Sequence, residues 1–351
     1  MPPYRVLIVD DSALFRTILR NVLSEIPDCE VIGSVADGRT AIDKITELAP
    51  DLVTLDVEMP EFSGIEVLRE LKRRRVHSQV VMVSRLTSSG AQVTTDALLE
   101  GAFDFILKPS GSSPKENKAS LRTALEARIQ ALREARPLGE VSSDSDSYAS
   151  VTTPRERVDA VIIGCSTGGP DALARVVPQL SARIPVPIFI VQHMPEGYTA
   201  SLASRLNEAS ELEVLEAADG QRPRAGQVIL ARGGSHLEFQ RRGTNGCIVK
   251  LSQAPHEHGC RPAVDVTLRS AVEIFQGRLL VVILTGMGRD GTAGCQLARA
   301  HGAQVIAQHA EGCVVYGMPK AVIQAGQADH IIRLPNIAST LERLAAPPQT
   351  R

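Results

Sequence analysis

"VIIGCSTGGP", Val161 to Pro170, joins a short apolar run to a turn of small residues with one serine at its centre. The run "DAVIIGCS" (159–166) lacks polar alternation, as expected for a strand covered on both faces of a parallel sheet. "PDALARVVPQL" (170–180) follows with helical periodicity, so the stretch reads as a strand–turn–helix joint. Three readings fit that joint. Ser166 is a nucleophile, or Gly164–Gly169 cradle a phosphate, or the glycines only let a strand turn tightly into a helix.

The same rhythm extends outward on both sides. Downstream come the strand "VPIFIVQH" (186–193), the helix "EGYTASLASRLNEA" (196–209) and the strands "GQVILA" (226–231) and "HLEF" (236–239). The helix "AVDVTLRSAVEIF" (263–275), strand "LLVVILTG" (279–286), helix "GTAGCQLARAH" (291–301) and strand "AQVIAQ" (303–308) follow. Upstream, "RVLIVDD", "EVIGSVAD", "DLVTLDVEMP", "QVVMVSR" and "FDFILKP" read as five strands. Between the first two, Leu14, Ile18, Leu19 and Val22 are expected on one helical face. A helix near Lys118–Ala135 carries Leu121, Leu125, Ile129 and Leu132. Strands alternating with helices predict an α/β class of two doubly wound parallel-sheet domains. "RPLGEVSSDSDSYASVTTPRERV" is Ser-rich and short of large apolar groups, which predicts a flexible linker over about 136–156. The expected organisation is a first domain over 1–125, a helix end and linker over 126–156, and a second domain over 157–347.

The 351 residues suit about two or three domains, and a hydrophobic share of 43% is ample for cores. Charged residues at 22% and a net charge of −2 argue against nucleic-acid binding, which shows a basic face. No apolar run approaches the ~20 residues of a membrane span, so no direct membrane insertion is expected. "MPPYRVLIVDD" meets acid at Asp10 and lacks the apolar core of a signal peptide. The 6 cysteines form no C-x-x-C pair, so a cytoplasmic protein with reduced thiols is expected.

At the carboxyl ends of four of these five strands stand Asp10 and Asp11, Asp56, Ser84, and Lys108 before Pro109. Open parallel sheets gather functional residues at such ends. Three carboxylates on one rim repel and call for a cation, and a hard ion such as Mg²⁺ suits oxygen ligands and phosphate together. Asp56 is then a candidate nucleophile towards a phosphoryl donor, with Lys108 and Ser84 on the phosphoryl oxygens. The plainer reading makes these aspartates helix caps.

Residues 4–125 resemble the receiver domain of two-component response regulators, which implies a flavodoxin-like fold. The resemblance implies that Asp56 takes a phosphoryl group from a histidine kinase. Asp11 and Asp56 would ligate Mg²⁺ directly and Asp10 less directly, with the Glu58 carbonyl completing the set. Ser84 and Lys108 fall at the switch-hydroxyl and lysine positions, and "MPEFSG" (59–64) fits the usual loop.

In the second domain "GCSTG" (164–168) satisfies G-x-S-x-G, the nucleophile-elbow pattern, between strand and helix. Backbone N–H groups at the helix start are placed to stabilise an oxyanion. A phosphate cradle needs G-x-G-x-x-G or a P-loop lysine, and Gly164, Gly168 and Gly169 fit neither spacing. A serine needs an adjacent base, and "IVQHMP" puts His193 at the next strand end. A carboxylate usually orients that base, and "VVILTGMGRDG" (281–291) offers Asp290. Its plainer reading is an N-cap for the helix "GTAGCQLARA"; Glu238, Asp265 and Glu311 are weaker carboxylate candidates. The order Ser166, His193, Asp290 departs from the Ser, acid, His order of α/β-hydrolases. His301 and His309 would restore it, but His301 falls in a helical pattern and no HGGG-type loop is present.

Residues 158–346 resemble the catalytic domain of the chemotaxis protein-glutamate methylesterases, which are also protein-glutamine deamidases. The landmarks are "IGCSTGGP", "VQHMP", "RPAVDVTLRS", "ILTGMGRDG" and "VVYGMP", in that order. The resemblance implies a Rossmann-like domain with Ser166 as nucleophile, His193 as base then acid, and Asp290 as orienting carboxylate. It further implies the Met287 N–H at the oxyanion and Thr167 and Arg261 near the cleft, with no cofactor for the ester chemistry. Implied partners are a chemotaxis histidine kinase and, as substrate, the cytoplasmic helices of methyl-accepting chemoreceptors. An unphosphorylated receiver is expected over the cleft, loosened when Asp56 is phosphorylated. Cys165, Arg232, Ala263 and His309 depart from the usual alanine, proline, serine and acidic residue. Two rival readings are an adaptor without catalysis and an esterase or amidase for a non-receptor protein.

Overall fold

A computed structural model describes residues 3–135, 157–243 and 246–346. The linker expected over 136–156 and the C-terminal residues from 347 onward lie outside the described residues. The chain divides into two compact units, Met1–Arg133 and Glu134–Arg351.

The first unit alternates strand and helix: β1 (Tyr4–Val9), α1 (Ala13–Leu23), β2 (Cys29–Val35), α2 (Gly38–Leu48) and β3 (Leu52–Asp56). It continues with α3 (Gly64–Arg73), β4 (Gln79–Ser84), α4 (Ser88–Leu99), β5 (Asp104–Leu107) and α5 (Pro114–Ala135). All five strands are parallel in the order β2-β1-β3-β4-β5. Every residue of β3 is buried, and β1 and β4 expose one each, which is why their sequences run apolar without alternation. β1 and β3 align Val9 with Leu55, so Asp10 and Asp56 emerge side by side, each one step further along.

The face expected of α1 is corrected at one position. Leu19 and Val22 are buried, but Leu14 is 72% exposed. At 100° per residue the buried face centres on Leu19 and Val22, which leaves Leu14 well off it. In α5 the stripe Leu121, Leu125, Ile129, Leu132 is buried, and the helix begins at Pro114, about one turn before the expected start near Lys118.

The second unit opens with β6 (Ala160–Cys165), α6 (Gly169–Val176), β7 (Ile188–Gln192), α7 (Tyr198–Ala209), β8 (Glu213–Glu216) and β9 (Gln227–Leu230). A hairpin of β10 (His236–Arg242) and β11 (Gly246–Ser252) follows. Then come α8 (Val264–Phe275), β12 (Leu279–Ile283), α9 (Thr292–Ala300), β13 (Gln304–Gln308), α10 (Met318–Gln324), β14 (His330–Ile332) and α11 (Ile337–Ala345). Seven parallel strands take the order β14-β13-β12-β6-β7-β9-β8. The antiparallel hairpin is separate from this sheet. Its Phe239 stands edge-on to Phe189 at 4.6 Å and to Phe275 at 5.3 Å, tying hairpin, sheet and α8 into one core.

The central strand β6 has β7 on one side and β12 on the other. Strand order reverses there, and the carboxyl ends at such a reversal form a natural crevice. Ser166 leaves β6 at that point, beside the residues that follow β7 and β12.

Candidate active site

In the first unit, Lys108 Nζ lies 2.7 Å from Asp10 Oδ2 and 2.7 Å from Asp56 Oδ2. Lys108 follows β5, and its N–H donates to the Ser84 carbonyl at 2.7 Å, which fixes it to the end of β4. Asp10, Asp56 and Ser84 are buried. Ligand atoms of Asp10, Asp11 and Asp56 lie within 4.8 Å of one another, and this all-oxygen set fits a hard divalent cation. Glu58 is exposed; its N–H donates to Asp56 Oδ1 at 3.4 Å. The Ser84 hydroxyl donates to the Arg85 carbonyl at 3.2 Å. Burial drives Asp56 up to about 6; Lys108 opposes this, and the neighbouring charge of Asp10 adds to it. Asp11, Glu58, Ser63 and Arg85 line an open pocket beside this cluster.

In the second unit the joint at Ser166 turns on two glycines. Gly168 has φ +78, and a Cβ there would lie 2.4 Å from Val314 Cβ. Gly286, after β12, faces the serine: a Cβ on it would lie 2.9 Å from Ser166 Cβ. The Ser166 N–H donates to the Thr285 carbonyl at 3.0 Å, and its carbonyl accepts from Gly169 N–H at 2.7 Å. Gln192 Nε2 also reaches the Ser166 carbonyl at 3.0 Å.

Cys165 pairs with Gln192 across β6 and β7, and the His193 N–H donates to the Cys165 carbonyl at 3.2 Å. Ser166 and His193 are therefore successors on neighbouring strands, whose spacing is about 4.8 Å. His193 Nε2 lies 2.7 Å from Asp290 Oδ2, with the histidine side chain 9% exposed and the aspartate 1%. The remaining ring nitrogen is Nδ1. Burial pushes His193 down, but the Asp290 carboxylate and the Cys260 side chain outweigh it and leave the ring raised. Asp290 also accepts from the N–H groups of Val264 at 2.6 Å, Asp265 at 2.9 Å and Gly291 at 2.9 Å. Burial alone would raise Asp290; His193 and the backbone donors hold it below the ordinary carboxylate value.

The plainer reading of Asp290 changes in one respect. It serves the first turn of α8 through the Val264 and Asp265 N–H groups, whereas α9 has Gly291 at its N-cap. Ala263, where serine is usual, is the N-cap of α8 and makes no side-chain cap; Asp290 supplies those bonds from outside the helix. Met287 is half-buried, next to Gly286, whose N–H donates to the Val315 carbonyl at 3.0 Å. The Thr167 carbonyl accepts from Thr285 Oγ1 at 3.0 Å. Arg261 Nη1 donates to the Gln253 and Ala254 carbonyls at 3.2 and 3.1 Å, so this guanidinium holds the chain after β11.

The other departures are accommodated locally. Cys165 is fully buried, which pushes its thiol up; Arg232 pairs with Glu196 at 3.2 Å; the His309 N–H donates to the Ile332 carbonyl at 2.8 Å. His301 Nδ1 contacts the Leu297 carbonyl at 2.9 Å at the end of α9, and Glu311 pairs with Arg333 at 3.1 Å. His258 and Cys260 were not among the expected site residues. His258 Nε2 lies 2.8 Å from Asp265 Oδ2, and Cys260 meets the His193 ring. The available signal was "HEHGC" directly ahead of the "RPAVD" landmark.

No described helix is long and apolar enough to cross a membrane. The profile of the response regulator receiver domain matches residues 6–120, and that of CheB methylesterase matches residues 161–341. A protein-glutamate methylesterase/protein-glutamine glutaminase of Desulfotalea psychrophila is 43% identical over 97% of this chain and 98% of that protein. The protein of the same description from Thermotoga maritima is 43% identical over 93% of this chain and 94% of that one. The crystal structure of the Thermotoga maritima CheB methylesterase catalytic domain matches 54% of this chain and 100% of that chain. The TM-score of that match is 0.52, at 43% identity. The chain belongs to the CheB methylesterase family and carries a response regulator receiver domain ahead of the catalytic domain.

Proposed function

We propose that the chain hydrolyses γ-glutamyl methyl esters, and the side-chain amides of glutamines, on the cytoplasmic helices of methyl-accepting chemoreceptors. Ser166 Oγ attacks the carbonyl carbon, and His193 Nδ1 takes its proton while Nε2 stays on Asp290. The tetrahedral oxyanion collapses, the bond between the acyl carbon and the methoxy oxygen breaks, and His193 returns the proton to the departing methanol. Water then repeats the cycle on the acyl-serine and releases glutamate. With glutamine the leaving group is ammonia. The Met287 N–H is assigned to the oxyanion, and Thr167 and Arg261 to the walls of the cleft. The carrying observation is the 2.7 Å His193–Asp290 contact at the strand end beside Ser166.

His193 accepts a proton only when neutral, and its value is raised above the ordinary 6.5. Activity therefore climbs with pH through a midpoint above that value.

The receiver carries the control. Asp56 attacks the phosphoryl group of a histidine kinase, and Lys108 and Ser84 meet the incoming oxygens. Asp11, Asp56, Asp10 and the Glu58 carbonyl would hold Mg²⁺, which supplies positive charge against the phosphoryl oxygens. Phosphorylation at Asp56 then raises activity in the catalytic unit. The expected site of action is the cytoplasm.

Methanol release from methylated receptor tests the reading. Ser166→Ala abolishes it and leaves phosphorylation intact; retained turnover would overturn the serine assignment. A small phosphodonor stimulates the parent chain but not Asp56→Asn, and equal stimulation of both would contradict control through that aspartate.

A further inference from the structure

Two buried carboxylates, not one, stand behind His193. Asp265 is 1% exposed, as is Asp290, and its own N–H donates to Asp290 Oδ1 at 2.9 Å. Two anions so close and so dry repel strongly unless something offsets the second. Asp265 Oδ1 accepts from the Gly294 N–H at 2.6 Å, and Oδ2 meets His258 Nε2 at 2.8 Å. The same Nε2 is 3.7 Å from Asp290 Oδ1, so one imidazole edge faces both acids.

The backbone seats His258 in a tight turn. Glu257 and Cys260 bond each other in both directions, at 3.1 and 2.9 Å, and close a two-residue turn over His258 and Gly259. His258 has φ +53 and Gly259 φ +73, the left-handed pair of a type I′ turn, whose usual first residue is asparagine. A histidine there is strained, and strain of this kind persists where the surroundings over-determine it.

We propose that His258 is a positioning residue of the catalytic pair: its imidazole ties down Asp265 and offsets its charge, so that Asp290 stays ionised and aimed at His193. This rests on the Ser166–His193–Asp290 reading above. The other charged groups facing His258 are accounted for. Glu257, 4.0 Å away, is held in a fork by Arg269 of α8 at 2.9 and 2.5 Å, which leaves His258 to the aspartates. Cys260, two residues on, meets the far partner His193. Burial raises Asp265 and Asp290 adds to this, while Gly294 N–H and His258 oppose them.

The test uses His258→Asn, which suits the left-handed turn and removes the imidazole. Expected is a fall in kcat of about tenfold, the lower end of what a supporting hydrogen-bond partner commands, with KM little changed. The titration midpoint of His193, followed by imidazole NMR in the full chain, moves up because uncompensated negative charge favours the imidazolium. In an Asp265→Asn background the same change costs much less, since the charge it offsets is gone. Unchanged kcat and midpoint, or effects of the two substitutions that simply multiply, would overturn the proposal. The NMR midpoint reads the network without turnover. A failure of the serine reading, seen in Ser166→Ala, is therefore separate from a failure here.

Discussion

Asp56 and Asp290 hold comparable places in two parallel-sheet units, each at a strand's carboxyl side and each nearly sealed from water at 3% and 1% exposure. Their surroundings treat them oppositely. Asp56 shares a single ammonium with Asp10 and receives one long amide bond at 3.4 Å, so burial prevails and its carboxyl rises to about 6. Asp290 receives an imidazole and three backbone N–H groups, two of them from the start of α8, where the helix dipole also favours an anion. Its carboxyl is lowered despite deeper burial. Burial alone does not set the charge of a carboxylate; the donors aimed at it decide. The under-provided acid is the one to which the proposed function brings further charge, and the fully provided one stays an anion throughout.

Removing the charge at the fully provided site gives the largest effect. Asp290→Asn puts an amide where three N–H groups and a ring nitrogen converge, so its own NH₂ meets donors or forces the wrong imidazole tautomer. Methanol release should fall about 10⁴-fold with the fold intact by circular dichroism, as for the equivalent change in other serine triads. Activity within tenfold of the parent would remove Asp290 from the chemistry. Next comes Gly286→Ala, whose Cβ would lie 3.0 Å from the Ser166 backbone nitrogen and 2.4 Å from Met318 Sδ. The thioether swings aside, but the serine backbone must shift. A displaced nucleophile costs about 10²-fold in kcat. An unchanged kcat would mean that the turn tolerates the methyl and the serine does not depend on it.

The under-provided acid predicts the opposite sign in a stability measurement. Asp56 has a folded-state value near 6 against an ordinary 3.8, so the folded receiver binds the proton more tightly than the unfolded chain. Stability therefore falls as pH rises through that window. Asparagine carries no charge at any pH and escapes this loss. Asp56→Asn should stabilise the receiver by about 3 kcal/mol near neutral pH and by little in strong acid, read from its urea transition. A destabilised variant near neutrality would show that Lys108 more than balances the buried charge, and the contrast with Asp290 would close.

The positions of the candidate site residues were legible in the sequence because parallel strands are apolar runs that end in conspicuous polar groups. Asp10, Asp56, Ser84, Lys108, Ser166 and His193 all stand at such ends. Asp290 was legible through its Gly-rich loop, but not the helix it serves: the partner N–H groups of Val264 and Asp265 are 25 or more positions away and carry no side-chain signal. Strands β8 and β14 escaped for a different reason. They are edge strands of four and three residues, with mixed burial and no sustained pattern. β11 buries only Val249 fully and is defined by its register with β10, Phe239 opposite Val249, which no local period reveals. His258 and Cys260 lie in a turn, where function depends on what the loop folds back upon.

Cys260 gives the smallest and most discriminating prediction. Its half-exposed side chain meets the His193 ring and, with Asp290, holds that imidazole above its ordinary value. The two neighbours act on one property but differ in chemistry: Asp290 is an obligatory anion, whereas the thiol is only a weak partner. Cys260→Ala removes the weak partner and leaves the carboxylate. The acid limb of kcat/KM should then move to lower pH by less than about one unit, raising activity severalfold on that limb and little on the plateau. A limb that moves while the plateau holds divides the control of His193 between a fixed anion and an adjustable thiol. A limb that stays put assigns all of it to the carboxylate and the backbone donors that keep Asp290 charged.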